Sequence, residues 1–232
     1  MKRPRQLELA LSARPTWGGR RKGAGRRPGP HPRVRHRSRA SLAARFPCHV
    51  TMRVRTDVPS LRTVKFVREF ERSLARSRER GHFRVVHYSL QSNHAHFVVE
   101  ARDRAALGRG MKSLGARLSR AVNRVFARRG SVLADRYHVR IARTPLEVRR
   151  TLAYVLLNSR RHARRPAPGA KTATRFDPAS SARWFDGWRW VGPDTSLTGP
   201  PAPVAAARTW LLRRGWRRHG LIEPSEVPGR GV

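Results

Sequence analysis

His82-Phe83-Arg84-Val85-Val86-His87-Tyr88-Ser89-Leu90-Gln91, then Ser92-Asn93, then His94-Ala95-His96-Phe97-Val98-Val99-Glu100-Ala101 reads as strand, turn and strand. β-Branched and aromatic residues fill both runs, and Gln91 to Asn93 sits where a hairpin reverses. Side chains alternate across a strand, so His94 and His96 point to one face, about 7 Å apart. Two neutral imidazoles at that spacing can hold one divalent cation. The chain carries 52 Lys and Arg against 14 Asp and Glu, a formal net charge of +38. A phosphodiester suits both the cation and that charge, which points to a metal-dependent nuclease or strand transferase. His-x-His also arises by chance in a chain with ten histidines, so the pair alone does not decide.

A second element lies downstream. Thr144 can cap a helix, Pro145 suits its first position and Glu147 completes a capping box. The helix is predicted to run to about His162, where Arg160, Arg161, His162, Arg164 and Arg165 favour the negative end of the dipole. Val148, Leu152 and Val155 make its apolar stripe, and Thr151, Tyr154 and Asn158 share the adjacent face. Tyr154 is a candidate nucleophile and Asn158 a candidate oxygen ligand, one turn apart. The plain alternative is an aromatic at a core edge beside a polar helix end. Among the three tyrosines, Tyr137 is the rival nucleophile, at the start of the alternating run Tyr137 to Ala142. Tyr88, inside the hairpin, reads as structural.

Together the two elements resemble the single-tyrosine HUH transposases: the IS200/IS605-type superfamily and its REP-associated tyrosine transposase branch. The resemblance covers about His49 to Arg165. Asn93-His94-Ala95-His96-Phe97 is similar to that family's Asn-His-hydrophobic-His-hydrophobic core. Tyr154-Val155-Leu156-Leu157-Asn158 is similar to its Tyr-hydrophobic-x-x-Asn helix, and Cys48-His49-Val50-Thr51 to its opening strand. Arg160 falls where relatives carry a basic residue. The chain departs from the pattern at Gln91-Ser92, where relatives have Met-Pro, and at Ser159, where they have Pro. The best-understood members place Gln where Asn158 lies.

The resemblance implies Mg²⁺ or Mn²⁺ held by His94, His96 and Asn158. It implies attack of Tyr154 on single-stranded or hairpin DNA, a covalent 5′-phosphotyrosine, a freed 3′-hydroxyl and later rejoining. Relatives act as monomers or as homodimers. The alternative is a non-catalytic DNA-binding descendant of the same fold, a repressor or a domesticated remnant. A basic RNA-binding protein is a third reading, in which the paired histidines and Tyr154 have no assigned purpose.

The remaining pattern fits an α/β (α+β) protein: a ferredoxin-like antiparallel sheet of HUH-endonuclease type, in the order βαββαβα, with helices packed on one side. His49 to Arg55 reads as the first strand. Leu61 to about Arg78 reads as a helix, with Leu61, Val64, Val67, Phe70 and Leu74 at helical steps and Gly81 ending it. Ala105 to about Arg128 reads as a second, with Leu107, Met111, Leu114, Leu118, Val122, Val125 and Phe126 inward. Arg109, Lys112, Arg117, Arg120 and Arg124 lie largely off that stripe. They are either solvated surface or, next to a phosphate-cutting site, a DNA-backbone track, with Arg160 and Arg161 as further DNA-binding candidates.

Residues 1–46 read as a basic tail too poor in apolar surface to offset its ordering entropy. Residues 47–165 read as the catalytic domain and 166–232 as a Trp- and Arg-rich extension. Trp184, Trp188, Trp190, Trp210 and Trp216 are five of the six tryptophans. They can staple the extension onto the domain or stack on bases. A helix is predicted from Pro203 or Val204 to about His219. Cys48 is the one cysteine, which excludes a disulfide framework and a Cys-based zinc site. Nothing reads as a signal peptide or membrane span, so the expected place is the cytoplasm, at the nucleoid.

Overall fold

Strand alternation assigns every element of this fold to one face or the other of a single sheet. The computed structural model describes residues 41–76, 82–159, 176–190 and 201–229. In chain order it has β1 (Cys48–Arg53), α1 (Val64–Ala75), β2 (Phe83–Leu90), β3 (His94–Ala101), α2 (Arg104–Val125), β4 (His138–Ile141) and α3 (Pro145–Leu156). The strands pair antiparallel in the order β2-β3-β1-β4, leaving β4 at an edge. This is the ferredoxin-like arrangement expected from the βαββαβ order.

Val50, Met52, Tyr88, Leu90, Ala95, Phe97 and Val99 project from one face into a core with Phe66 and Phe70 of α1 and Met111, Leu114 and Leu118 of α2. Val86 and Val98 project from the other, into a second core with Val148, Leu152 and Val155 of α3 and with Phe185, Trp188 and Trp216. The expectation of helices on one side is therefore corrected. The two crossover helices share a face, and the trailing helix takes the opposite one because its stripe needs the apolar positions still open there. A bulge helps to supply them. The β2–β3 register shifts between Val85 and His87, so the extra residue Val86 joins the α3 side. An inserted residue of this kind reverses strand parity.

The caps explain the helix limits. Thr63 accepts from the Phe66 amide, so α1 starts after Leu61, which is buried on the way in. Asp103 accepts from the Ala106 amide at 2.7 Å and starts α2. Thr144 and Glu147 form both halves of the predicted capping box on α3. That helix ends at Leu156, short of His162; Leu157, at φ −108° and ψ 14°, leaves the helical basin. From Thr151 to Asn158 only Tyr154 escapes full burial, so the C-terminal half of α3 is enclosed on all sides, while Leu146 and Arg150 in its first half are exposed. Residues 160 to 162 lie outside the described residues.

The predicted helix from Pro203 to His219 does not form as one piece. The Ala205 amide donates to Val85 O at 2.9 Å, and the Arg208 and Thr209 amides donate to the Glu100 carboxylate at 3.0 and 2.7 Å. Those bonds hold 205–209 against the sheet, and α4 (Trp210–Arg213) begins only at the Thr209 cap, followed by a 3₁₀ turn at Gly215–His219. Trp188 and Trp216 are buried, with indole N–H groups donating to Ala182 O and Leu212 O, both at 3.0 Å. A Cβ on Gly187 would meet Trp216 Cη2 at 2.3 Å, so only glycine admits this packing. Burial of one tryptophan, roughly 200 Å² at about 25 cal/mol/Å², contributes about 5 kcal/mol. These two rings staple the extension; Trp190 and Trp210 remain exposed. Leu42 is buried in the first core, so the domain reaches back before residue 47, while residues 1–40 lie outside the described residues. Among the described residues no helix is long and apolar enough to cross a membrane.

His87 lies on the α3 side of β2, edge-on to Phe185 with ring centroids 5.3 Å apart and 3.3 Å from Ser181 Oγ. Burial pushes its pKa down to about 4, with Asp186 opposing the shift. An imidazole with pKa near 6.5 when unfolded and about 4 when folded stabilises the fold fully above pH 6.5. That stability is lost as pH falls towards 4, by about 3 kcal/mol. His49 is lowered likewise, mainly by burial, and adds to the wild-type loss. Chemical denaturation from pH 8 to pH 4 should show this decline, and His87→Gln should reduce its size.

A candidate metal and nucleophile site

His96 sits in a polar row that crosses the whole sheet. Ser89, His96, Thr51 and His138 are register partners on β2, β3, β1 and β4. The next row is His87, Val98, His49 and Arg140, and Arg53 pairs with His94. Directly opposed residues share a face, so all of these stand on the α3 side.

The two predicted imidazoles converge. His94 Nε2 is 3.0 Å from His96 Nε2, with the rings at 87°. His94 Nδ1 is 2.7 Å from Asn93 Oδ1. His96 Nδ1 is 3.1 Å from both His49 Nε2 and Thr51 Oγ1. The Tyr154 ring lies edge-on to His96, centroids 5.2 Å apart, and 5.5 Å from His49. Burial, then Arg140 and His138, push the His49 pKa down to about 4, so it is a neutral hydrogen-bond partner at pH 7.

The residues fit a divalent cation. With each Nδ1 donating, to Asn93 Oδ1 and to His49 Nε2 or Thr51 Oγ1, both Nε2 atoms turn lone pairs towards each other. In that pair of tautomers one cation can take both lone pairs. Two nitrogens each roughly 2.1 Å from one cation, at a right angle, sit about 3.0 Å apart. Asn158 is fully buried, and neither its Oδ1 nor its Nδ2 has a hydrogen-bond partner among the described residues. An unsatisfied buried amide costs roughly 1–3 kcal/mol. Imidazole nitrogen with amide oxygen suits Mn²⁺ better than Mg²⁺. No group of three or more His, Cys, Asp or Glu among the described residues could hold a metal, so a third ligand drawn from those residues would be of another type.

Of the three tyrosines, Tyr154 is the one beside the histidines. Tyr88 is buried in the opposite core, its hydroxyl donating to Glu71 at 2.6 Å, and burial followed by Glu71 pushes its pKa up. Tyr137 packs against that same opposite core. Tyr154 is half-buried.

The arginines of α2 are not where the sequence suggested. Arg109, Lys112, Arg120 and Arg124 are exposed and Arg117 half-buried, but α2 covers the face opposite the histidines. Arg124 pairs with Glu69 and Arg117 donates to Ser73 O. Their expected adjacency to the site is corrected: the stripe of α2 faces the first core, so its polar side points away from the second. Arg160 and Arg161 lie outside the described residues. Sequence reasoning missed His49 and Thr51 as supports of His96; their i, i+2 spacing on a strand was the available signal.

No family model and no curated protein matches the chain. A solved structure of a REP-associated tyrosine transposase bound to a REP hairpin is similar at 14% identity and a TM-score of 0.43, over 56% of this chain and 75% of that one.

Proposed function

We propose that this protein is a metal-dependent enzyme that cuts and rejoins single-stranded or hairpin DNA through Tyr154, acting as a monomer or homodimer. One observation carries the reading: a half-buried phenol ring stands 5.2 Å from an imidazole whose Nε2 faces a second Nε2 at 3.0 Å. The net charge of +38 supports a polyanionic substrate. The Tyr154 oxygen attacks phosphorus as its proton leaves; the P–O3′ bond breaks and the departing oxygen takes a proton. The product is a 5′-phosphotyrosine and a free 3′-hydroxyl. Another 3′-hydroxyl reverses the step, restores the phenol and needs no ATP, because the phosphodiester energy is kept. His94, His96 and Asn158 would hold Mn²⁺ or Mg²⁺, which when bound supplies Lewis-acid polarisation of the phosphate. His49 and Thr51 orient His96, as outer partners of metal-binding histidines do.

The test is to incubate the protein with labelled single-stranded hairpin DNA and Mn²⁺ and look for a denaturant-resistant adduct. The adduct is the expected result. Tight DNA binding without it would indicate the non-catalytic descendant, and preference for RNA the third reading.

A further inference from the structure

Arg53, His138 and Arg140 stand on the face that carries the paired imidazoles. Arg53 is opposite His94 on β1; His138 and Arg140 are opposite Thr51 and His49 on the edge strand β4. All three are exposed. No carboxylate pairs with any of them among the described residues. Elsewhere Arg62 holds Asp177, Arg84 holds Glu100, Arg128 holds Asp57 and Arg149 holds Glu226. Folding thus commits acids to other arginines and leaves positive charge beside the histidines.

We propose that Arg53, His138 and Arg140 form a track that grips the backbone phosphates of a DNA single strand on both sides of the scissile one. This rests on the proposed DNA chemistry and adds positioning residues to it. From the row of Arg53 to that of His49 and Arg140 is four residues, about 13 Å along the strand. The row of His96, Thr51 and His138 lies between them. Cations at both ends and the reactive row in the middle suit an extended chain of phosphates. Arginine forks onto phosphate oxygens, which fixes position as well as charge. Among the described residues β4 has β1 as its one neighbour in the sheet, so a nucleic-acid strand can cross it without displacing another of the described strands.

The measurement is anisotropy of a labelled single-stranded DNA hairpin with the full chain, in EDTA, across a range of salt. Arg53→Gln and Arg140→Gln should each weaken binding about 5–10-fold, and the slope of log K against log salt should become shallower by about 0.7. Arg53→Lys and Arg140→Lys should restore the slope, since charge is what releases counterions. Wild-type affinity and slope in both Gln variants would overturn the track, as would Lys variants that fail to recover the slope. The assay needs no cleavage, so absence of an adduct with Mn²⁺ would count against the enzyme reading alone.

Discussion

Tyr154→Phe is expected to abolish the covalent DNA adduct, with a loss of at least about 10³-fold, because the ring that remains carries no oxygen to attack phosphorus. The substitution is a narrow one. Phenylalanine keeps the ring that lies 5.2 Å from His96 and 5.5 Å from His49, and removes a hydroxyl on a half-buried residue. Unfolding free energy should therefore change by less than about 1 kcal/mol, and DNA binding measured in EDTA should persist. Tyr137→Phe and Tyr88→Phe alter the opposite core, and both should still form the adduct. Denaturing gels of the three variants with labelled hairpin DNA and Mn²⁺ decide the matter. An adduct that survives in Tyr154→Phe and disappears in Tyr137→Phe would reassign the nucleophile.

Much of this arrangement was legible because it is local. The hairpin follows from two alternating runs, and the shared side of His94 and His96 from pleat parity alone. The capping box of α3 was readable from Thr144 and Glu147. Long-range choices were not. Parity says that His49 and Thr51 share a face, yet nothing local says that β1 lies beside β3, which is what brings both onto His96 Nδ1. An apolar stripe says that a helix must be covered, but not from which side of the sheet. For that reason the α2 stripe is equally compatible with arginines beside the site, while the structure puts a sheet between them. The C-terminal segment shows the opposite failure. Ala205-Ala206-Ala207 has high helix propensity, and tertiary hydrogen bonds to Val85 O and Glu100 override it. The bulge at Val86 left no trace in the alternation, because Val85, Val86 and the residues around them are strand formers on either parity.

His94→Ala and His96→Ala should each reduce Mn²⁺ affinity by at least about 100-fold and remove adduct formation at ordinary metal concentrations, whereas His49→Ala should cost about 10–100-fold and recover when Mn²⁺ is raised. The ranking follows from what each ring touches. His94 and His96 present their Nε2 atoms to one another at 3.0 Å, so either truncation would remove one of the proposed ligands. His49 meets His96 at Nδ1, 3.1 Å away, and helps fix the tautomer that leaves Nε2 a lone pair. Thr51 Oγ1 reaches the same nitrogen at 3.1 Å, so part of that restraint survives loss of His49. Removal of the metal with EDTA should abolish the adduct in the wild type, and Mn²⁺ should restore it more fully than Mg²⁺, as imidazole ligation favours the softer ion. Titration of Mn²⁺ by the loss of its free EPR signal reads the affinities without any need for turnover. Wild-type Mn²⁺ binding in both His94→Ala and His96→Ala would mean that the cation is held elsewhere.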